Sequence, residues 1–256
     1  MLPILQVGPA AIQVEGLVLL FGLWVGLTLS EKFCDRRGIT STQLYNLVFF
    51  MMIGGLIGAR LSFVLRYPEA FIKNPISIIS LNPGLLDFWG GLLVAVLVGL
   101  AYTQRRQIPI LSALDALNPL LAVLMIAVPL SHLASGEAYG KPASIPWGIY
   151  LWGMQRHPTQ IYGALAGILV LVLLWPARQS FDQKQPGEYF FLFMSLTAAS
   201  ALFLEFFRGD SLLILGGIRS KQVAAWGILV SCLWILNNIR NSRHPEMQNN
   251  SLQDRG

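Results

Sequence analysis

Polar and charged positions divide this chain into apolar stretches longer than those of an ordinary soluble core. About seven of them, near residues 12–30, 43–65, 84–103, 112–134, 159–175, 187–206 and 221–238, suit α-helices that cross the hydrocarbon of a bilayer. No basic region precedes the first stretch and no small-residue cleavage pattern follows it, so it is expected to be retained as a true span. The pattern predicts an all-α polytopic membrane protein. Residues 1–240 should form a single transmembrane domain, and the polar segment 241–256, which lacks apolar periodicity, a disordered cytoplasmic tail.

Composition narrows the picture further. Of 256 residues, 54% are hydrophobic and only 12% charged, and the mean hydropathy is +0.58, outside the range of a soluble domain. Lys32, Arg36, Arg37, Arg105, Arg106, Arg178, Lys184, Arg240, Arg243 and Arg255 fall in one set of connecting segments. Arg66, Lys73, Lys141, Arg156, Arg208, Arg219 and Lys221 fall in the other. The larger set belongs on the cytoplasmic side, which predicts N-out and C-in. The net charge of +5 is spread over short loops without a basic stripe or a base-stacking aromatic set, so nucleic acid is not an expected partner. Cys34 and Cys232 lie far apart with no second cysteine near either, which suggests neither a metal site nor a disulfide framework. A channel or transporter could use buried charges as a path, but no internal repeat is evident.

Several ionisable and polar residues interrupt the apolar stretches. Arg60 sits inside GGLIGARLSFVLRY, where a guanidinium must face protein, water or an anion, or else snorkel to the interface. Glu15, Asp87, Asp115, Glu137, Glu205 and Arg208 also lie in or beside apolar segments. In DFWGG, Gly90 and Gly91 open the third span, either offering amide donors to an anion or allowing close helix contact. Trp89 fits an interfacial anchor or a pocket wall. The fourth span carries Asn118, Pro119, Pro129, Ser131, His132 and Ser135, and its prolines favour a broken helix beside a polar site. His132 is either a proton acceptor or a histidine bonded to a neighbouring helix. In RHPTQIY, His157 precedes the fifth span and Gln160 and Tyr162 lie one turn inside, or the segment is simply a helix start. EFFRGDS places Glu205 and Arg208 at i and i+3, close enough to pair, as a phosphate receptor or as a structural ion pair.

The order IGARLSFVLRY, FWGGLL, SGEAYG, PWG, RHPTQIY and EFFRGD along such a chain resembles the prolipoprotein diacylglyceryl transferase family of bacterial inner membranes. The similarity runs from about GPAAIQVEG at residue 8 to SKQVAAWG near 227. The resemblance implies transfer of the diacylglyceryl group of phosphatidylglycerol to a lipobox cysteine thiol, with release of glycerol phosphate and no cofactor or metal. The implied partners are phosphatidylglycerol or another anionic phospholipid and a lipobox-containing precursor. The implied location is the bacterial inner membrane. Arg60 and Arg208 would hold phosphate, with Glu15, Gly90, Gly91, Gln160 and Glu205 also in the substrate site. His132 or His157 would act as base, with Glu15 or Glu137 to orient it.

The chain departs from the family pattern at five positions. Trp89 stands where the family has the histidine of His-Gly-Gly. Pro129, His132 and Ser135 stand where its signature has an arginine and two asparagines, and Glu15 replaces an early tyrosine. Two functions therefore stay open: a divergent transferase, and a non-catalytic member that binds phospholipid or a lipoprotein or membrane partner.

Overall fold

Each apolar stretch becomes a helix, and the polar interruptions become caps and short hairpins. The computed structural model describes residues 4–7, 10–73, 76–77, 83–175, 184–211, 213–214 and 218–241. The expected polar tail lies, apart from Asn241, outside the described residues. In chain order the elements are β1 (Ile4–Val7), β2 (Ala10–Gln13), α1 (Val14–Cys34), α2 (Ser41–Arg66), α3 (Pro68–Lys73), α4 (Phe88–Arg105) and α5 (Ile110–Ser135). They are followed by β3 (Ile149–Leu151), β4 (Met154–Arg156), α6 (Thr159–Leu173), α7 (Glu188–Glu205), β5 (Leu213–Ile214), β6 (Ile218–Arg219) and α8 (Ser220–Asn241). Among the described residues the strands form three separate antiparallel hairpins.

Among the described residues, six helices are long and apolar enough to cross a membrane: Val14–Arg37, α2, α4, α5, α7 and α8. The chain is a multi-pass helical membrane protein. The fifth apolar stretch gives the shorter α6, of 15 residues. Its apolar pattern continues to Trp175, but Leu174 caps the helix because the residue before Pro176 is biased away from helical geometry. Large apolar side chains are exposed on the long helices, among them Phe21 and Trp24 on α1 and Phe49 and Ile57 on α2, as a lipid solvent permits.

The chain divides into two compact units. In the unit Cys34–Ala116, α2 starts from a capping box. The Gln43 amide donates to Thr40 Oγ1 (3.3 Å) and the Thr40 amide to Gln43 Oε1 (3.0 Å). Small residues four apart then let α2 lie against α4. A Cβ on Gly54 would sit 2.7 Å from Val98 Cγ2, and one on Gly91 would sit 2.9 Å from both Ala59 Cβ and the Gly55 carbonyl oxygen. Helices in lipid gain little from the hydrophobic effect, so such close backbone contact supplies the packing energy. The Arg37–Asp115 ion pair is buried in this unit at 3.2 Å.

The second unit comprises Met1–Phe33 and Leu117–Gly256. Its portion of α5 keeps helical geometry through both prolines, so the break expected in the fourth span is absent. Neighbours absorb the disruption. The Leu120 amide donates to Ser30 Oγ on α1 (2.9 Å), and Pro129 packs on Gly163 of α6, where a Cβ would lie 3.0 Å from Pro129 Cγ. Ala122, Val170, Leu174, Tyr189 and Phe193 form a core joining α5, α6 and α7. Arg240 Nε donates to Glu188 Oε1 at 3.0 Å, tying the end of α8 to the start of α7.

Candidate functional site

The loop after α5 organises the polar residues of the second unit. The Gly136 and Glu137 amides close α5 on the His132 carbonyl at 2.8 and 3.0 Å, and Gly136 adopts φ 80°, a left-handed conformation that glycine takes without strain. The chain then runs extended between two others. On one side, the Lys141 amide donates to the Phe207 carbonyl (2.8 Å) and the Gly209 amide to the Tyr139 carbonyl (3.0 Å), with Gly140 bridged to Arg208. On the other, the His157 amide donates to the Lys141 carbonyl (3.1 Å) and the Ala143 amide to the Gln155 carbonyl (3.0 Å). A side chain does not fit at Gly140, whose Cβ would lie 2.7 Å from His157 Cβ and 2.9 Å from its carbonyl carbon.

The first turn of α6 is stitched to the same loop. Thr159 Oγ1 donates to the Ala138 carbonyl and Gln160 Nε2 to the Glu137 carbonyl, both at 2.7 Å. Arg156 clamps the platform: Nη1 donates to the Gly140 carbonyl (3.2 Å), Nε to the Leu151 carbonyl (3.1 Å), and its guanidinium lies 4.7 Å from the centre of the Tyr139 ring. RHPTQIY is therefore more than a helix start. Its side chains and backbone fix the loop that carries Glu137 and Gly140.

Two chemically capable groups meet on this platform. His157 Nδ1 lies 3.3 Å from Tyr162 Oη, which accepts a hydrogen bond from Trp147 Nε1 at 2.7 Å, and the imidazole packs edge-on against Phe207 at 5.2 Å between ring centres. Next to Phe207, Arg208 forms a fork with Asp210: Nε donates to Oδ1 at 2.9 Å and Nη2 to Oδ2 at 2.7 Å. Burial works against both charges. Their mutual bond and attraction outweigh it, holding the Arg208 guanidinium above its usual value and the Asp210 carboxyl below the usual carboxylate range, with Lys221 adding to the latter. The expected Glu205–Arg208 pair is present but longer, 3.8 Å, and Glu205 is 3% exposed with no hydrogen bond to Oε1. Gln160 Oε1 is likewise buried without a partner. Among the described residues no three His, Cys, Asp or Glu side chains gather in metal-binding fashion.

The structure brings Glu137, His157, Gln160, Glu205 and Arg208 into this one framework. Glu137 enters through its backbone, its side chain being exposed, and the half-buried His132 contributes its carbonyl. Glu15 is half-buried in the first turn of α1. Arg60, Gly90 and Gly91 belong to the Cys34–Ala116 unit. There Arg60, 8% exposed, donates to the carbonyls of Leu85 (2.8 Å) and Ser77 and lies over Phe71. Gly90 and Gly91 serve the contact between α2 and α4, and Asp87 caps the α4 N-terminus. The glycine pair thus takes the close-packing role of its two readings.

Comparison with known proteins gives the family. The family model described as prolipoprotein diacylglyceryl transferase matches residues 3–237. The chain belongs to this family. Several proteins named phosphatidylglycerol–prolipoprotein diacylglyceryl transferase are similar to it. One from Bordetella parapertussis is 30% identical over 213 residues, covering 80% of each chain. One from Synechococcus elongatus is 27% identical over 251 residues, covering 91% of this chain and 86% of the relative. One from Streptococcus pyogenes is 27% identical over 244 residues, covering 92% and 94%.

Two departures from the diacylglyceryl transferase pattern have local explanations. Pro129, at the arginine position, is a packing residue against Gly163 of α6. Trp89, at the histidine position, is 72% exposed and packs edge-on against Phe88. Sequence reasoning missed Arg156, which counted there only as a loop charge, and Asp210. The latter's signal was in plain view in Arg-Gly-Asp, where one glycine lets the carboxylate fold back onto the guanidinium.

Proposed function

We propose that this chain transfers the diacylglyceryl group of phosphatidylglycerol to the cysteine thiol of a lipobox-containing precursor, in the bacterial inner membrane, as a single N-out, C-in membrane domain extending to about residue 240. The observation that carries this reading is the pairing, on one hydrogen-bonded platform, of a phosphate-matching guanidinium at Arg208 with an imidazole at His157 held by Tyr162. In this reading Arg208 binds the lipid phosphate, exchanging some of its bonds to Asp210 for phosphate oxygens. With the His157 proton on Nδ1, facing the Tyr162 Oη that also accepts from Trp147, Nε2 is left to take the thiol proton.

The sulfur then displaces the phosphate oxygen at the glyceryl carbon. One S–C bond forms, one C–O bond breaks, and the electron pair leaves on the phosphate as glycerol phosphate, its charge stabilised by Arg208. Glu205 and Gln160 supply buried oxygens with capacity to accept hydrogen bonds from glycerol hydroxyls. His132, Glu137 and Glu15 are retained as secondary members of the proposed substrate and acid–base set; within the Cys34–Ala116 unit, Gly90 and Gly91 supply the packing of α4 on α2.

The replacement of the signature arginine by a packed proline favours a second reading, a protein that binds phosphatidylglycerol without turning it over. Incubation of the purified protein with phosphatidylglycerol and a lipobox peptide separates the two. A peptide whose mass rises by one diacylglyceryl group supports transfer, and retained lipid binding with no mass change supports the second reading.

A further inference from the structure

Beyond Arg208 the chain continues through Gly209, Asp210 and Ser211 into the β5–β6 hairpin, whose register pairs Leu213 with Arg219 immediately before α8. The hairpin therefore returns Arg219 alongside the segment that follows Ser211. Lys221, two residues on, lies near enough to Asp210 to lower its pKa. Two groups at this end are enclosed and make no hydrogen bond: Arg219 Nη1 and Ser211 Oγ. Both can donate, and a buried donor left unmet is costly, more so when it belongs to a charged group. Arg208 is already occupied by Asp210. The region thus carries three cations, Arg208, Arg219 and Lys221, against the carboxylates of Asp210 and Glu205, and its two unused donors are suited to the oxygens of one anion.

We propose that Arg219, together with the Ser211 hydroxyl, binds the phosphate of the phospholipid substrate as a second cationic contact beside Arg208. This rests on the reading that Arg208 meets that phosphate. In the free protein Arg208 is neutralised by Asp210 and Arg219 Nη1 is not bonded, so the phosphate gains its new hydrogen bonds first at Arg219 and Ser211. The same contact holds the phosphate of the glycerol phosphate that leaves.

The test is lipid binding by the full-length protein in neutral-detergent micelles, using phosphatidylglycerol, uncharged diacylglycerol and soluble glycerol phosphate as probes, alongside the unfolding midpoint. Arg219→Ala is expected to weaken phosphatidylglycerol and glycerol phosphate binding at least tenfold, the loss of one charge-assisted hydrogen bond, and to leave diacylglycerol binding unchanged. Its midpoint should not fall, because the lost group had an unmet donor, and Arg219→Lys should recover part of the affinity. Arg219→Gln, which retains most of the side-chain volume, should lose affinity in the same way and guards against a folding defect in the alanine variant. A purely structural arginine predicts the reverse, a lowered midpoint with unchanged lipid selectivity, and that result overturns the proposal. So does a loss confined to glycerol phosphate. If Arg208→Ala loses phosphatidylglycerol while Arg219→Ala binds it like wild type, only this inference fails. If Arg208→Ala itself binds normally, the reading of the site fails.

Discussion

Gly140→Ala tests whether the three-segment platform sets the geometry of the site. The added methyl would lie 2.7 Å from His157 Cβ and 2.9 Å from the His157 carbonyl carbon. Carbon atoms settle at about 3.5–4.0 Å, so the segments must separate by roughly 1 Å. Backbone and Cβ atoms, unlike the far end of a flexible side chain, cannot turn aside. The displacement falls between the strand that bridges Arg208 and the residue that carries the imidazole. A misplacement of that size costs about 100-fold in rate, while overpacking costs about 1–3 kcal/mol of stability. The assay is initial-rate transfer to a lipobox peptide, read beside the unfolding midpoint in detergent. Gly227→Ala, where a Cβ meets nothing within 4 Å, serves as control and should retain wild-type rate. A Gly140→Ala protein with wild-type turnover would refute the claim that this contact positions the site.

Other expectations follow from particular contacts. Tyr162→Phe removes the hydroxyl beside His157 Nδ1 and should lower kcat about 10–100-fold with little change in KM for lipid, because orientation of the base is lost while phosphate binding is kept. Asp115→Asn removes one charge of the buried pair with Arg37 and should cost about 3–5 kcal/mol, read from denaturant unfolding in micelles; a loss under 1 kcal/mol would show that the pair is not a buried anchor. For Asp210, the carboxyl sits below its unfolded value because Arg208 outweighs burial. Its contribution to stability is therefore full above the unfolded value and disappears as pH falls through the lower folded one. The stability gap between wild type and Asp210→Asn should be constant above about pH 5 and close at pH values below about 4. A gap that grows between pH 6 and 8 would contradict that assignment.

The helices were legible because their cause is local. Long apolar runs must satisfy their backbone internally in lipid, and α2, α5, α7 and α8 start and stop within a few residues of where the pattern places them. The effect of Pro119 and Pro129 was not legible, since Ser30 on α1 and Gly163 on α6 accommodate them from distant parts of the chain. At the site, RHPTQIY and EFFRGDS drew notice for their residue types. Their union through Tyr139–Ala143 was not visible, because it depends on backbone bonds from this loop both to Gln155 and His157, 12 and 16 residues on, and to Phe207 and Gly209, 66 and 70 residues on. Gly90 and Gly91 show the converse: the same pair of glycines satisfies an anion site or a helix contact on local grounds, and only Ser62 and Ala59 of α2 decide for the contact. Arg60 illustrates why a buried cation is a weak pointer by itself, since two carbonyl oxygens of its own unit receive its fork.

The most direct measurement of the central claim is glycerol phosphate release by the purified protein in phosphatidylglycerol-containing micelles with a lipobox peptide, for wild type, Arg208→Ala, His157→Ala and His132→Ala. The account predicts release matched one-to-one by peptide lipidation, lost by at least 100-fold in Arg208→Ala and in His157→Ala, with a smaller loss in His132→Ala. Wild-type protein that binds phosphatidylglycerol yet releases no glycerol phosphate would contradict it and establish a lipid-binding member of the family.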